Sequence, residues 1–124
     1  MATNNPNSVN ELPHDLLAEK ALVGCLVIDG SAFDEISNLQ VKGDQFYDPR
    51  YGRVFDVISD LSLGHRAIDF VTVCNKLKDQ GKLEEVGGEA FISSLVEDQA
   101  SSANVYEYAK IVKDKFSVRE IIKT

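Results

Sequence analysis

Tryptophan is absent from this chain of 124 residues, methionine occurs once, cysteine twice and proline three times. So little proline, with eight glycines, rules out a collagen-like or low-complexity chain. Two cysteines, Cys25 and Cys74, cannot build a disulfide scaffold, and their apolar, helix-like surroundings suit reduced, buried thiols in a cytosolic protein. No apolar run approaches the roughly 18 residues of a membrane helix. The longest, residues 21–28, contains Gly24. Residues 1–13 lack the basic start and apolar middle of a signal peptide. Basic residues are also in short supply: 13 against 20 acidic, a net charge of −7 and a pI near 4.7. A domain so charged repels phosphate backbones and is not built to grip DNA unaided.

What is present suffices for one small domain. Apolar residues make up 44% and charged residues 27%, the balance of a chain that holds a core without metals or disulfides. Residues 1–12 are Asn-rich (Asn4, Asn5, Asn7, Asn10) and bury too little to offset ordering entropy, so they read as a flexible tail. From Pro13, which suits a first helical turn, the pattern becomes helical. Leu17, Ala21, Cys25 and Ile28 recur at helical spacing beside Ala18, Leu22 and Leu26, a wide stripe that predicts a central helix ending at Asp29-Gly30. Ser31 is the expected cap of a second segment through Ile36. Asp48-Pro49 opens a third, carrying Tyr51, Val54, Phe55, Ile58 and Leu61 and ending at Gly64. Asp69 caps a fourth with Phe70, Val73, Cys74 and Leu77, up to Gly81. A fifth, shorter helix with Phe91, Ile92, Leu95 and Val96 follows Gly87-Gly88. Residues 100–103 form a loop, and Asn104 caps a last helix. Period two is never sustained, so the expected fold is all-α, a compact bundle of about six helices.

Catalytic patterns are missing. Gly81-Lys82 is followed by Leu83 and has no glycine five places upstream, so it is no phosphate loop; Gly87-Gly88 reads as a turn. His14 and His65 stand alone and read as solvated loop residues, and Glu84-Glu85 as a solvated acidic turn. Neither a catalytic constellation, a cofactor site nor a metal site is expected here. The last helix is different. Lys110, Lys113, Lys115, Arg119 and Lys123 outweigh Glu107, Asp114 and Glu120 by +2, leaving −9 on the rest of the chain. Val105, Tyr108, Val112 and Phe116 form one apolar row, and Ile111, Val118 and Ile122 another. One row docks the helix on its own domain; the second calls for a partner, either another subunit or a further helix. The candidate protein-interface residues are therefore Tyr108, Ile111, Lys115, Phe116, Arg119 and Ile122, with Phe116 and Ile122 as anchors and Lys115, Arg119 and Lys123 as rim.

The order of short motifs carries a resemblance. Pro13-His14, Ala18-Glu19 and Gly24 with Leu26 and Asp29 come first. Phe46-Tyr47, Val54-Phe55, Ile68-Asp69, Gly81-Lys82-Leu83, Gly87-Gly88 and Phe91-Ile92 follow. Ser101-Ser102-Ala103-Asn104-Val105, Tyr108-Ala109 and Ile111-Val112 close the series. In that order, across residues 13–122, the chain resembles the N-terminal region of bacterial replicative DNA helicases of the DnaB type. Tyr51 stands where that family usually has His, and Ala100 where it usually has Pro. The resemblance implies a helical head over residues 13–103 and, over 104–124, the first helix of a truncated helical hairpin. It implies a collar and scaffold role within a homohexameric, ATP-driven cytoplasmic motor. A phosphate loop, ATP and Mg2+ would belong to a downstream motor domain that also makes most DNA contacts. The implied partners are further copies of the chain (a dimer as this piece, a homohexamer when intact), a DnaG-type primase and a helicase loader, with no membrane contact. Two other readings stay open on the residues alone: a free-standing helical adaptor or regulator of replication, and a weak single-stranded DNA binder using the basic last helix.

Overall fold

Residues 12–99 and 101–123 are described by a computed structural model of the chain. The expected tail over residues 1–12 therefore lies almost wholly outside the described residues, as does Ala100 in the loop before the last helix.

The first helix, α1 (Leu16–Ile28), begins later than Pro13 suggested. Asp15 is the N-cap, its carboxylate accepting from Ala18 N at 2.9 Å. Pro13 stays outside the helix, with its carbonyl engaged by Arg119. Leu22, Val23, Cys25 and Leu26 are fully buried, so α1 is the axis of the core, as its wide stripe predicts. The two ends of the row Leu17, Ala21, Cys25 and Ile28 nevertheless lie outside the buried face. Leu17 is 82% exposed and Ile28 is exposed too, although Cys25 in the same row is fully buried.

After Asp29 the chain makes three 3-10 turns, Gly30–Glu35, Ser37–Leu39 and Gly43–Gln45. The segment expected as a second α-helix is thus a tighter coil, and its cap is Asp29, which accepts from Ser31 N, rather than Ser31. Ala32 and Ile36 are its only buried anchors between exposed Asp34 and Glu35, too little apolar surface to sustain longer α-helix. Helix α2 (Pro49–Leu63) starts where Asp48-Pro49 places it, the Asp48 carboxylate accepting from Arg50 N. Helix α3 (Phe70–Asp79) opens with a reciprocal box in which Asp69 accepts from Thr72 N and donates its own N–H to Thr72 Oγ1, each at 2.9 Å. A single turn, α4 (Leu83–Val86), was not legible from periodicity: Leu83 and Val86 face inward while Glu84 and Glu85 stay in solvent. Helices α5 (Gly88–Glu97) and α6 (Val105–Lys123) complete the fold. Six α-helices stand among the described residues, but α4 takes the place of the expected second one.

Helix α1 packs against α2, α3, α5 and α6. Its contact with α6 is antiparallel. Ser102 Oγ donates to Asp29 at one end, and Arg119 reaches Pro13 at the other. Two close approaches fix the remaining layers. A side chain on Gly24 would put its Cβ 2.5 Å from the Leu95 carbonyl of α5, and one on Gly52 would sit 2.2 Å from Gly43 O. Backbone cannot yield at either place, so these glycines set the distances of α5 and of the 43–45 turn from the core.

Candidate functional site

The faces of α6 decide what this domain can touch. Val105, Ala109 and Val112 are buried against the head, and Tyr108, Ile111, Lys115 and Phe116 are half-buried at the margins of that contact. Toward the C-terminal end the apolar side chains turn outward: Val118, Ile121 and Ile122 are exposed, Ile122 by 56%. The two rows read from the sequence thus separate in space. The first docks the helix; the second starts half-covered at Ile111 and emerges bare at Val118 and Ile122.

The six candidate interface residues divide between two sides of α6. Tyr108 and Ile111 line a groove of about 400 Å³ with Leu17, Ala18, Ala21 and Leu95, rimmed by Asp15, Gln99 and the Lys20–Asp98 ion pair. The exposure of Leu17 is explained here, since it forms a wall of this groove. Phe116 and Arg119 lie elsewhere. The Arg119 guanidinium sits 5.8 Å from the Phe116 ring and 5.7 Å from that of Tyr47. Arg119 is no rim residue: it is 6% exposed, and it donates through Nη1 to Pro13 O at 2.9 Å and through Nη2 to Gln45 O at 2.6 Å. A guanidinium carries several donors in a rigid fork, and two backbone carbonyls converging on it draw it inward. Sequence reasoning had no signal for this, because both acceptors are backbone atoms far away in the chain.

Three of the other four basic residues of α6, all but Lys115, are also occupied. Lys110 pairs with Asp114 at 2.9 Å and Lys123 with Glu120 at 3.2 Å, while Lys113 donates to Gln40 O and to Gln45 Oε1. Lys115 apart, the positive charge of this helix already has partners, which leaves little of it for a nucleic acid.

Glu19 was missed as a structural group. It is 1% exposed on α1, and its carboxylate accepts from Tyr47 N at 2.8 Å and Asp48 N at 3.1 Å. Burial pushes its pKa above the ordinary glutamate value, against the pull of those two N–H groups and of Arg119. His14 is likewise no solvated loop residue. Its ring stacks on Tyr47 at 3.8 Å, and its Nδ1 donates to Leu12 O at 2.8 Å. His65, by contrast, is exposed in the turn after α2. Cys25 and Cys74 are both buried, and burial raises the Cys25 thiol to about 11, which makes it a poor nucleophile.

The glycine-rich turn offers no phosphate cradle. Gly87 and Gly88 adopt positive φ and border a depression of about 590 Å³ that also holds Lys78 and the carboxylates of Glu84 and Glu89. A Cβ on Gly88 would lie 3.6 Å from Glu84 Oε1, so negative charge already occupies the approach. Glu85 pairs with Arg53 and Lys82, as a solvated acidic turn would. Among the described residues no three His, Cys, Asp or Glu converge as a metal site, and no helix is long and apolar enough to cross a membrane.

Fold and surface together define a small all-α domain built round one buried helix, with a long last helix docked along its first half and bare along one edge of its second. The family model for the DnaB-like helicase N-terminal domain matches residues 11–114, and the chain belongs to that family. It is 35% identical over 124 residues to the replicative DNA helicase DnaB of Treponema pallidum, covering 95% of this chain and 28% of that protein. To the replicative DNA helicase DnaB of Buchnera aphidicola it is 32% identical over 120 residues, covering 97% of this chain and 26% of the relative. The crystal structure of the N-terminal domain of DnaB helicase from Mycobacterium tuberculosis superposes with a TM-score of 0.86 at 29% identity. That match covers 91% of this chain and 78% of the other. The chain therefore spans about a quarter of the length of these full-length relatives, and what it shares with them is the N-terminal region.

Proposed function

We propose that this chain is the collar and scaffold domain of a hexameric replicative DNA helicase, joining subunits to one another and recruiting a DnaG-type primase. The observation that carries the reading is the second apolar row of α6, which leaves the head at Ile111 and ends exposed at Val118 and Ile122. Exposed apolar side chains at helical spacing suit a helix-on-helix partner, and a second copy of the chain is the one proposed. The adjoining groove, with an apolar floor at Leu17, Ala21 and Tyr108 and a charged rim, is the proposed seat of a primase segment. A helicase loader is a further partner in the same cytoplasmic assembly. Unwinding, most DNA contact, and the binding of ATP and Mg2+ are assigned to a motor domain of the parent protein. Nothing at Gly81-Lys82-Leu83 or at Gly87-Gly88 would hold a nucleotide.

Replacing Val118 and Ile122 together by Ser tests the reading. Both lie outside the core, so far-UV helicity should stay near its starting level. Self-association followed by sedimentation equilibrium should weaken at least about tenfold, since two apolar contacts of ordinary size are lost. Unchanged association would remove this row from the interface. The pair is a cleaner probe than Phe116 with Ile122, because Phe116 is half-buried against its own domain. The adaptor alternative makes the same surface prediction and is separated by the length of the natural reading frame.

A further inference from the structure

The two halves of α6 are held to the head by different physics. Through Val112 the contact is apolar: Val105, Ala109 and Val112 are each buried to 2% exposure or less. Beyond Val112 the residue that α6 buries is Arg119. Its two hydrogen bonds end on backbone carbonyls of segments that belong to the head, Pro13 just before α1 and Gln45 at the close of a 3-10 turn. The same 45–48 stretch is held from below by Glu19, whose carboxylate takes the Tyr47 and Asp48 N–H groups and attracts Arg119. Val118 and Ile122 stand beside this fastening, one residue before Arg119 and three after it.

We propose that Arg119 is a positioning residue: a polar clip that sets the direction in which the last turns of α6 lie against the head, and so presents Val118 and Ile122 at a fixed angle without itself touching the partner. Polar fastening differs from apolar docking in how it opens. A burial contact yields gradually, whereas a clip of two directed bonds is either made or lost, so the turns it holds open as a unit while the apolar half stays docked. The clip stands on the geometry alone; its effect on association rests on the collar reading above.

The test compares amide hydrogen exchange and self-association in the intact chain and in four variants. Arg119→Met keeps the aliphatic stem and removes the clip. Arg119→Met with Glu19→Gln does so without leaving a buried carboxylate uncompensated, and serves should the single variant fold poorly. Arg119→Lys restores at most part of the donor set, and Val118→Ser with Ile122→Ser removes contacts only. In either Met variant, amides of residues 115–123 should exchange at least about tenfold faster while those of 105–112 change less than about twofold. The Lys variant should fall between, and the Ser pair should weaken association without accelerating exchange in the monomer. Uniform acceleration along all of α6, or none, overturns the clip. Weaker association of the Met variants with unchanged exchange would make Arg119 a direct contact, and that also overturns it. Should the native chain stay monomeric, the collar reading fails, and the exchange contrast alone decides the clip.

Discussion

Phe55→Ala is expected to lower the unfolding free energy by about 3–5 kcal/mol, the range for a large aromatic side chain removed from a packed core. Phe55 is 1% exposed, the largest of the fully buried side chains, and its ring meets those of Phe46 at 5.2 Å and Phe33 at 5.8 Å. It therefore ties α2 to two of the irregular segments, which have few other anchors. The 43–45 turn cannot collapse into the void without giving up the Gly43–Gly52 approach, nor the 30–35 segment without disturbing the close approach of Gly30 to Ile68, so the cavity should persist and the loss should sit high in the range. Urea denaturation followed by circular dichroism measures it, and a loss below about 1 kcal/mol would mean that this layer repacks freely.

Glu19→Ala should cost about 3 kcal/mol, by a different route. The substitution strands two backbone N–H groups, of Tyr47 and Asp48, at the entrance to α2, and leaves the buried Arg119 without its countercharge. Glu19→Gln keeps one acceptor oxygen but points an amide N–H at a backbone N–H, so it should fall between Ala and the native residue. The proton linkage gives an independent reading. Since burial raises the Glu19 pKa in the fold, the native state holds its proton at pH values where the unfolded chain has already lost it. Stability from this group therefore increases as pH falls through the raised value toward the ordinary one, the opposite of a salt-bridged carboxylate. Asp48 behaves the other way: its hydrogen bonds to Arg50 lower its pKa, so its contribution is present above the ordinary aspartate value and is lost on further acidification. The difference between the native chain and Glu19→Gln, plotted as unfolding free energy against pH, should slope only in the first window. A flat difference would show that Glu19 keeps its ordinary pKa.

Much of the helical layout was legible because it is written locally. Asp48-Pro49 and Asp69 are caps acting within one turn, each starting a helix where the sequence places it, and the last helix likewise begins just after Asn104. The centrality of α1 was equally plain from its nearly unbroken apolar composition. Errors arose where the deciding partner is distant in sequence or is backbone. Pro13 looked like a helix start although the true cap, Asp15, stands two residues on; that its carbonyl is taken by Arg119 is not visible locally. Arg119 looked like surface for the same reason, and Glu19 like an ordinary helical acid. Leu17 looked like core because a wide apolar stripe does not reveal which of its edges meets a neighbour. The one-turn helix α4 is too short to express a period at all. On the docking helix, the existence of two apolar rows could be read from spacing; that the second emerges only near Val118 required the position of the head.

Sedimentation velocity on this chain over a graded concentration series, alone and with the C-terminal domain of a DnaG-type primase, tests the central claim most directly. The account predicts a concentration-dependent dimer and a heavier complex when the primase domain is present. A monomer at every concentration that forms no complex with primase would contradict it.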